Sequence, residues 1–205
     1  LQAIGLARPL DEDLVTWQKH PGNPLFGPPA SPEVTRGDFR DPWVWPVEGG
    51  YRMLVGASLE NRGAALVYAS EDGVSWRYLH PLMDAAAAYA IDPDAIMWEV
   101  PVLRSNGAYD LLVLGSMHEH ERTRTLVIVG HYRNDRFEPV ATYRVDHADS
   151  CFYAAQPLVG DERLVLMGWL REHRSHEANV AAGWAGVLSL PLHVTLEGTE
   201  PRYAF

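Results

Sequence analysis

Gly37-Asp38-Phe39-Arg40-Asp41-Pro42-Trp43-Val44-Trp45 sets a charged pair, Arg40-Asp41, between aromatics and closes it with a proline. After a Gly49-Gly50 turn comes an apolar strand, Tyr51 to Ala57. The unit returns in altered form. Met97-Trp98-Glu99-Val100-Pro101-Val102-Leu103 again places an aromatic before a carboxylate and then a proline, and Tyr109 to Ser116 aligns with Tyr51 to Ser58. A third copy opens at Cys151-Phe152-Tyr153-Ala154-Ala155-Gln156-Pro157 and leads into Arg163 to Leu170. Trp17 and Trp76 are 59 residues apart, as are Pro42 and Pro101, and Phe137 stands as a third member 61 residues beyond Trp76. Two independent markers with one spacing indicate an internal repeat.

Each unit reads as four short strands without a convincing helix, the first full one spanning roughly 42–46, 51–57, 63–69 and 75–79. Asp72-Gly73 supplies a turn signal before Trp76. Ala85-Ala86-Ala87-Ala88 favours helix, but Asp92-Pro93-Asp94 follows closely and the segment is expected as loop. Trp184 to Pro191 is expected as the third strand of the last unit and His193 to Leu196 as the fourth. Repeated four-stranded units of this length are the signature of a β-propeller. The expected fold is therefore all-β, a partial propeller: 1–36 the outer strands of one blade, then blades over 37–82, 83–146 and 147–198. Typical rings have about 4–8 blades. The chain also opens without Met, on what reads as a strand from Leu1 to Ala7, so a fragment or processed piece is expected.

The 205 residues are enough for one substantial core, and 47% apolar residues argue against disorder. A net charge of −10 disfavours nucleic acid and anionic membrane surfaces and suits a neutral ligand such as a sugar. Seven Trp and nine Tyr supply flat faces for sugar stacking, although core packing accounts for most such residues. Cys151 is the single cysteine, so no internal disulfide forms. No apolar run reaches a membrane span and no signal peptide opens the chain, which leaves both cytoplasmic and secreted locations open.

The inner strands of propeller blades face one axis, so equivalent motifs converge although they are distant in sequence. Asp41 and Glu99 each stand just before a strand proline and are expected to meet there as the paired carboxylates of a glycosidase. Glu99, between Trp98 and Val100-Pro101, has the more apolar setting and is assigned as the acid; Arg40 is expected to keep its neighbour Asp41 ionised. The alternative reading is an ordinary ion pair between blades with Glu99 exposed. His118-Glu119-His120-Glu121 has the alternation of metal ligands on a strand, but reads better as a solvated hairpin tip. Glu172, His173, His176 and Glu177 read as an exposed polar loop. Trp169 and Trp184 are candidates for sugar stacking or for the core. No metal site and no cofactor are expected.

These motifs carry a resemblance to glycoside hydrolase family 32, the invertases, inulinases and levanases. Phe39-Arg40-Asp41-Pro42 resembles the family's arginine-aspartate-proline motif, and Trp98-Glu99-Val100-Pro101 its tryptophan-glutamate-cysteine-proline motif, with Val100 in place of cysteine. Phe152-Tyr153-Ala154-Ala155-Gln156 with Met167-Gly168-Trp169-Leu170 resembles the last-blade motif, and Gly183 to Pro191 the segment leaving the propeller. The resemblance implies a five-bladed propeller, of which this chain carries about three blades and part of another, and retaining cleavage of β-fructofuranosidic bonds in sucrose or fructans. It implies Glu99 as general acid/base, Asp41 as transition-state stabiliser, and Arg40, Phe39, Trp98, Asp149, Tyr153, Trp169 and Trp184 around a small or oligomeric fructoside. The family's nucleophile lies in an asparagine-aspartate-proline motif that is not found here: Asn23-Pro24 lacks the aspartate, and Asp92-Pro93-Asp94 is misplaced. The first blade and the C-terminal sandwich are thus expected outside this chain, and a companion chain completing the propeller is a candidate partner. Cys151 replaces an aspartate before the Phe-Tyr-Ala run, and Val102 stands where many relatives have aspartate. The competing functions are an arabinose- or xylose-releasing glycosidase of the same architecture and a non-catalytic sugar-binding module.

Overall fold

The computed structural model describes residues 2–30, 37–105, 107–145, 151–158, 164–172 and 174–205, with backbone alone at 121. Among the described residues it is all-β apart from two short helices and a 3-10 turn. A two-stranded ribbon, β1 (Ala7–Pro9) and β2 (Trp17–Lys19), precedes three larger antiparallel sheets. The first contains β3 (Phe39–Val47), β4 (Gly50–Leu59), β5 (Arg62–Ser70) and β6 (Arg77–Pro81), side by side in chain order. The second repeats this with β7 (Met97–Ser105), β8 (Asp110–Met117), β9 (Thr123–Arg133) and β10 (Arg136–Arg144). The third comprises β11 (Phe152–Pro157), β12 (Leu164–Leu170), β14 (Leu192–Glu197) and β15 (Glu200–Ala204), and a short β13 (Val187–Leu188) also pairs with β12.

The middle strands are nearly continuous apolar runs because both of their faces are buried. Along β8, Leu112 and Leu114 enter the core shared with the first sheet, while Leu111 and Val113 enter the core shared with the third. On β9, Leu126 and Ile128 take the first core, Val127 and Val129 the second. The same division on β4 and β5 sends Leu54, Ala65 and Val67 toward the second sheet, and Met53, Val55, Leu66 and Tyr68 toward Ile4 and Phe26. Strand alternation thus glues the second sheet to the first and the third, and the first to the second and to the N-terminal segment; each fully buried aliphatic side chain contributes about 1.5–3 kcal/mol.

The repeat is visible in detail. Trp17 Nε1 donates to the carbonyl of Leu14 at 2.8 Å and Trp76 Nε1 to that of Gly73 at 3.2 Å. Each inner strand also carries one extra residue against its partner. The register jumps between Arg40 and Trp43, between Glu99 and Val102, and between Tyr153 and Gln156. Arg40 lies opposite Gly56 and Glu99 opposite Gly115. The alignment of Tyr51–Ser58 with Tyr109–Ser116 is therefore one residue out of step, and the two glycines are the equivalent positions. Both are needed: a Cβ on Gly56 would lie 2.4 Å from the Trp98 carbonyl oxygen, and one on Gly115 2.8 Å from the Tyr153 ring.

Several expectations are corrected. Residues 85–91 form a helix, α1 (Ala85–Ile91), because Asp84 accepts from Ala87 N at its N-terminus and Ala88 packs into the core. Asp92-Pro93 terminates this helix; it does not prevent it. Residues Trp184–Pro191 do not make the third strand of the last sheet: only Val187–Leu188 pair, at the end of β12, and β14 and β15 are the third and fourth strands. That sheet runs to Ala204, beyond the expected limit at 198. The segment holding His176 and Glu177 is a second helix, α2 (His176–Ala182), capped by Ser175; His173 lies outside the described residues. The opening strand is β1, not Leu1–Ala7, and Ile4 forms an isolated bridge with Phe26.

The first and second sheets are also tied by Arg52 Nε, which donates to Asp135 Oδ1 at 2.8 Å; the Tyr132 hydroxyl, within the second sheet, donates to the same oxygen at 2.9 Å. Burial pushes the Asp135 carboxyl up, but these hydrogen bonds and the Arg52 charge outweigh it and hold it below its ordinary value. The stability it adds is present above the unfolded-state pKa of about 3.9 and lost as pH falls through the lower folded value. Asp135→Asn should therefore cost about 1 kcal/mol in urea unfolding at pH 7 and have a smaller effect near pH 3. Gly56→Ala should lower unfolding free energy by about 1–3 kcal/mol at either pH, because its Cβ meets backbone.

Candidate active site

The bulges aim three side chains at one point. Arg40, Glu99 and Tyr153 are register equivalents on β3, β7 and β11, each immediately before a residue with positive φ: Asp41 (62°), Val100 (44°) and Ala154 (51°). Such conformations are uncommon outside glycine and costly for a β-branched residue. Proline at 42 and 101 removes the next backbone N–H, which an unbroken ladder would need.

Glu99 is the hub. Its Oε1 accepts from Arg40 Nε at 2.9 Å and from Arg40 Nη2 at 2.5 Å, and its Oε2 accepts from the Tyr153 hydroxyl. The Arg40 Nη1 group is held by Gln2 Oε1 at 2.9 Å and Asp38 Oδ1 at 3.3 Å, and Gln2 Oε1 also accepts from Phe39 N at 3.0 Å. Burial works against the Arg40 charge, but hydrogen bonding and attraction from Glu99 prevail and raise its pKa. Tyr153 is pushed upward by burial first and by Glu99 second, so it stays protonated and donates. The Glu99 side chain is 14% exposed, shielded yet reachable.

Asp41 differs from expectation. Its Oδ2 accepts from Val100 N at 3.1 Å, and the Arg40 guanidinium faces Glu99 instead of Asp41. Burial raises the Asp41 pKa, the Val100 hydrogen bond opposes this, and the Glu99 charge raises it further; Arg40 has the smallest influence. Asp41 sits at the bulge in the left-handed region, which turns its carboxylate to Val100 N, so adjacency in sequence did not make Arg40 and Asp41 partners.

The aromatic before each site residue belongs to the core. Phe39 is fully buried, edge-on to Phe26 and Tyr68 at ring separations of 5.9 Å and 6.0 Å. Trp98 is fully buried, with its ring against Gly63. Both side chains, expected as substrate contacts, are packed into the core in this structure. Val102 is likewise buried in the second core. Trp169 lies opposite Tyr153 in the ladder and is exposed, with the Arg171 guanidinium 5.2 Å from its ring centre. Trp184 is more exposed and carries Arg174 at 4.2 Å; Arg174 also pairs with Glu172. Asp149 lies outside the described residues. His118 is buried, not solvated: its Nε2 lies 2.8 Å from Asp92 Oδ2. Sequence reading missed Gln2 and Asp92. Among the described residues, no group of three or more His, Cys, Asp or Glu is placed to hold a metal, and no helix is long and apolar enough to cross a membrane.

The family model for the glycosyl hydrolases family 32 N-terminal domain matches residues 2–204. The chain belongs to glycoside hydrolase family 32. It is 32% identical to an acid β-fructofuranosidase of Vigna radiata, over 93% of this chain and 32% of that enzyme. It is 31% identical to a sucrose-6-phosphate hydrolase of Bacillus subtilis, over 82% of this chain and 38% of that enzyme. Among solved structures, fructan 1-exohydrolase IIa of Cichorium intybus superposes with a TM-score of 0.79 at 27% identity, over 99% of this chain and 42% of that one. A Bombyx mori β-fructofuranosidase mutant solved in complex with sucrose gives 0.80 at 25% identity, over 98% and 43%. The chain thus spans about a third of the curated relatives it matches.

Because Arg40 and Tyr153 act on the same carboxylate, their effects on stability should not add. Arg40→Gln should cost about 1–2 kcal/mol and Tyr153→Phe about 1 kcal/mol. A double-mutant cycle read by urea unfolding should give a coupling of at least about 0.5 kcal/mol; strict additivity would show that the contacts are independent.

Proposed function

We propose that the protein containing this chain is a retaining β-fructofuranosidase acting on sucrose or fructans, with Glu99 as general acid/base. The observation that carries this reading is the largely shielded Glu99 carboxylate, oriented on one oxygen by Arg40 and on the other by Tyr153, with the Asp41 carboxylate bound to the next backbone N–H. The relatives' printed activities supply the substrate class: β-fructofuranosidase, fructan 1-exohydrolase and sucrose-6-phosphate hydrolase.

In this mechanism an aspartate outside the chain attacks the anomeric carbon of the fructosyl unit while Glu99 gives its proton to the departing glycosidic oxygen. Glu99 then removes a proton from the water that hydrolyses the fructosyl-enzyme, and the catalyst is restored. Asp41 holds ring hydroxyls. Burial and the neighbouring Glu99 charge raise its pKa, so it gains hydrogen-bonding strength toward a sugar that displaces water. Tyr153 and Arg40 keep Glu99 in one rotamer, and Trp169 and Trp184 offer stacking faces to the rest of the substrate. We further propose that the three sheets are blades of a five-bladed propeller. A further segment or a companion chain would supply the nucleophile and cover the apolar residues Leu158, Leu188 and Leu190 on the last sheet and the loop beside it.

Glu99→Gln, made in the protein or assembly that supplies the nucleophile, should lower turnover of sucrose by about 10²–10⁴-fold while binding persists. Fructose release from sucrose and levan measures it. Unchanged turnover would remove Glu99 from the mechanism, and sugar binding without cleavage by the unmodified protein would instead establish the non-catalytic module.

A further inference from the structure

The Asp92 carboxylate is a buried charge outside the proposed machinery, with a side chain only 2% exposed. Its Oδ1 accepts from Arg124 Nη1 at 2.7 Å; its Oδ2 accepts from Ser116 Oγ at 2.7 Å and lies 2.8 Å from His118 Nε2. Both of its oxygens are engaged by protein groups, which leaves it no free oxygen to act as a displaced nucleophile. Nor do these groups form a serine relay: Ser116 Oγ and Asp92 Oδ2 approach the same histidine nitrogen, Ser116 at 3.2 Å. A carboxylate this deep is costly unless fully paired, and a fully paired cluster holds its surroundings in one arrangement.

What it holds is the entry to β7. The Asp92 carbonyl accepts from Ala95 N at 3.1 Å, Ala95 O from Gly63 N at 3.0 Å, and Met117 O from Ile96 N at 2.9 Å. Trp98 then pairs with Ser116 and Glu99 with Gly115. Immediately beyond Glu99 the ladder is broken. Val100 is in the left-handed region with its N–H on Asp41, Pro101 has none, and regular pairing resumes only at Val102. The backbone of Glu99 is therefore fixed chiefly from its N-terminal side, where Asp92 joins the loop to β8 through Ser116, to the residue just past β8 through His118, and to β9 through Arg124.

We propose that Asp92 is a positioning residue for Glu99: its contacts with Ser116, His118 and Arg124 set the entry angle of β7 and so the aim of the acid at the leaving oxygen. This rests on the reading of Glu99 as acid/base. A residue that acts through the acid should matter only when the leaving group needs a proton. Sucrose needs one; p-nitrophenyl β-D-fructofuranoside, whose phenolate leaves unaided, does not. In the protein or assembly that supplies the nucleophile, Asp92→Asn should lower kcat/KM for sucrose by about 10- to 100-fold, and that for the aryl fructoside by less than about threefold. Glu99→Gln, measured beside it, should show the same dependence more strongly. If Asp92→Asn does not fold, Arg124→Gln, which removes one donor at the exposed edge of the cluster, carries the test with a smaller loss. Equal losses on both substrates, or none on either, would overturn the proposal while leaving Glu99 in place. Failure of Glu99→Gln to discriminate the substrates would overturn both readings.

Discussion

One extra residue in each inner strand is the constraint on which the rest depends. At Asp41, Val100 and Ala154 the backbone turns left-handed and skips one rung of the ladder. Without that bulge, a strand would present its side chains at regular alternation to the neighbouring sheets. With it, Arg40, Glu99 and Tyr153 turn out of the packed layers and meet, although Arg40 and Glu99 are 59 residues apart in the chain and Glu99 and Tyr153 are 54 apart. The glycines opposite the first two, Gly56 and Gly115, allow the next sheet to come close enough for the contact.

The apolar cores and the polar site are consequences of the same geometry. Strands buried on both faces bind the second sheet to the first and the third and fix the spacing between β3, β7 and β11. Phe39 and Trp98 are the innermost parts of that adhesive: each lies one residue before the polar side chain and points into the layer. The polar residues then face one another across a fixed gap, which is the pre-organisation that a charged site requires. Asp92 and its donors repeat the principle at smaller scale, at the entry to β7.

Much of this was legible in the sequence. The shared spacing of the Trp17–Trp76 and Pro42–Pro101 pairs exposed the repeat, and apolar runs with intervening turns located most strands. Glu99, Arg40 and Tyr153 were expected near one another, and the structure brings their side chains into contact. Their individual partners were not legible, because pairing across sheets depends on register. Arg40 looked bound to its neighbour Asp41, which the bulge turns to Val100 N instead, and Phe39 and Trp98, expected as sugar contacts, are packed in the core. The helix at 85–91 was hidden by a proline beyond its end, and its Asp84 cap went unread. Asp92 and His118 gave no local signal: a buried polar cluster is built from three separate segments, and no single window of sequence contains it.

Val100 carries a lesson for protein engineering. A β-branched residue held at a φ of 44° costs roughly 1–3 kcal/mol, against a total stability that in most proteins is about 5–15 kcal/mol. Directed evolution ranked by melting temperature would favour replacements here that relax the backbone, and each would loosen the turn that aims Glu99. Heat resistance and a well-aimed carboxylate are in opposition at this position, so selection for the first alone would drift away from the second.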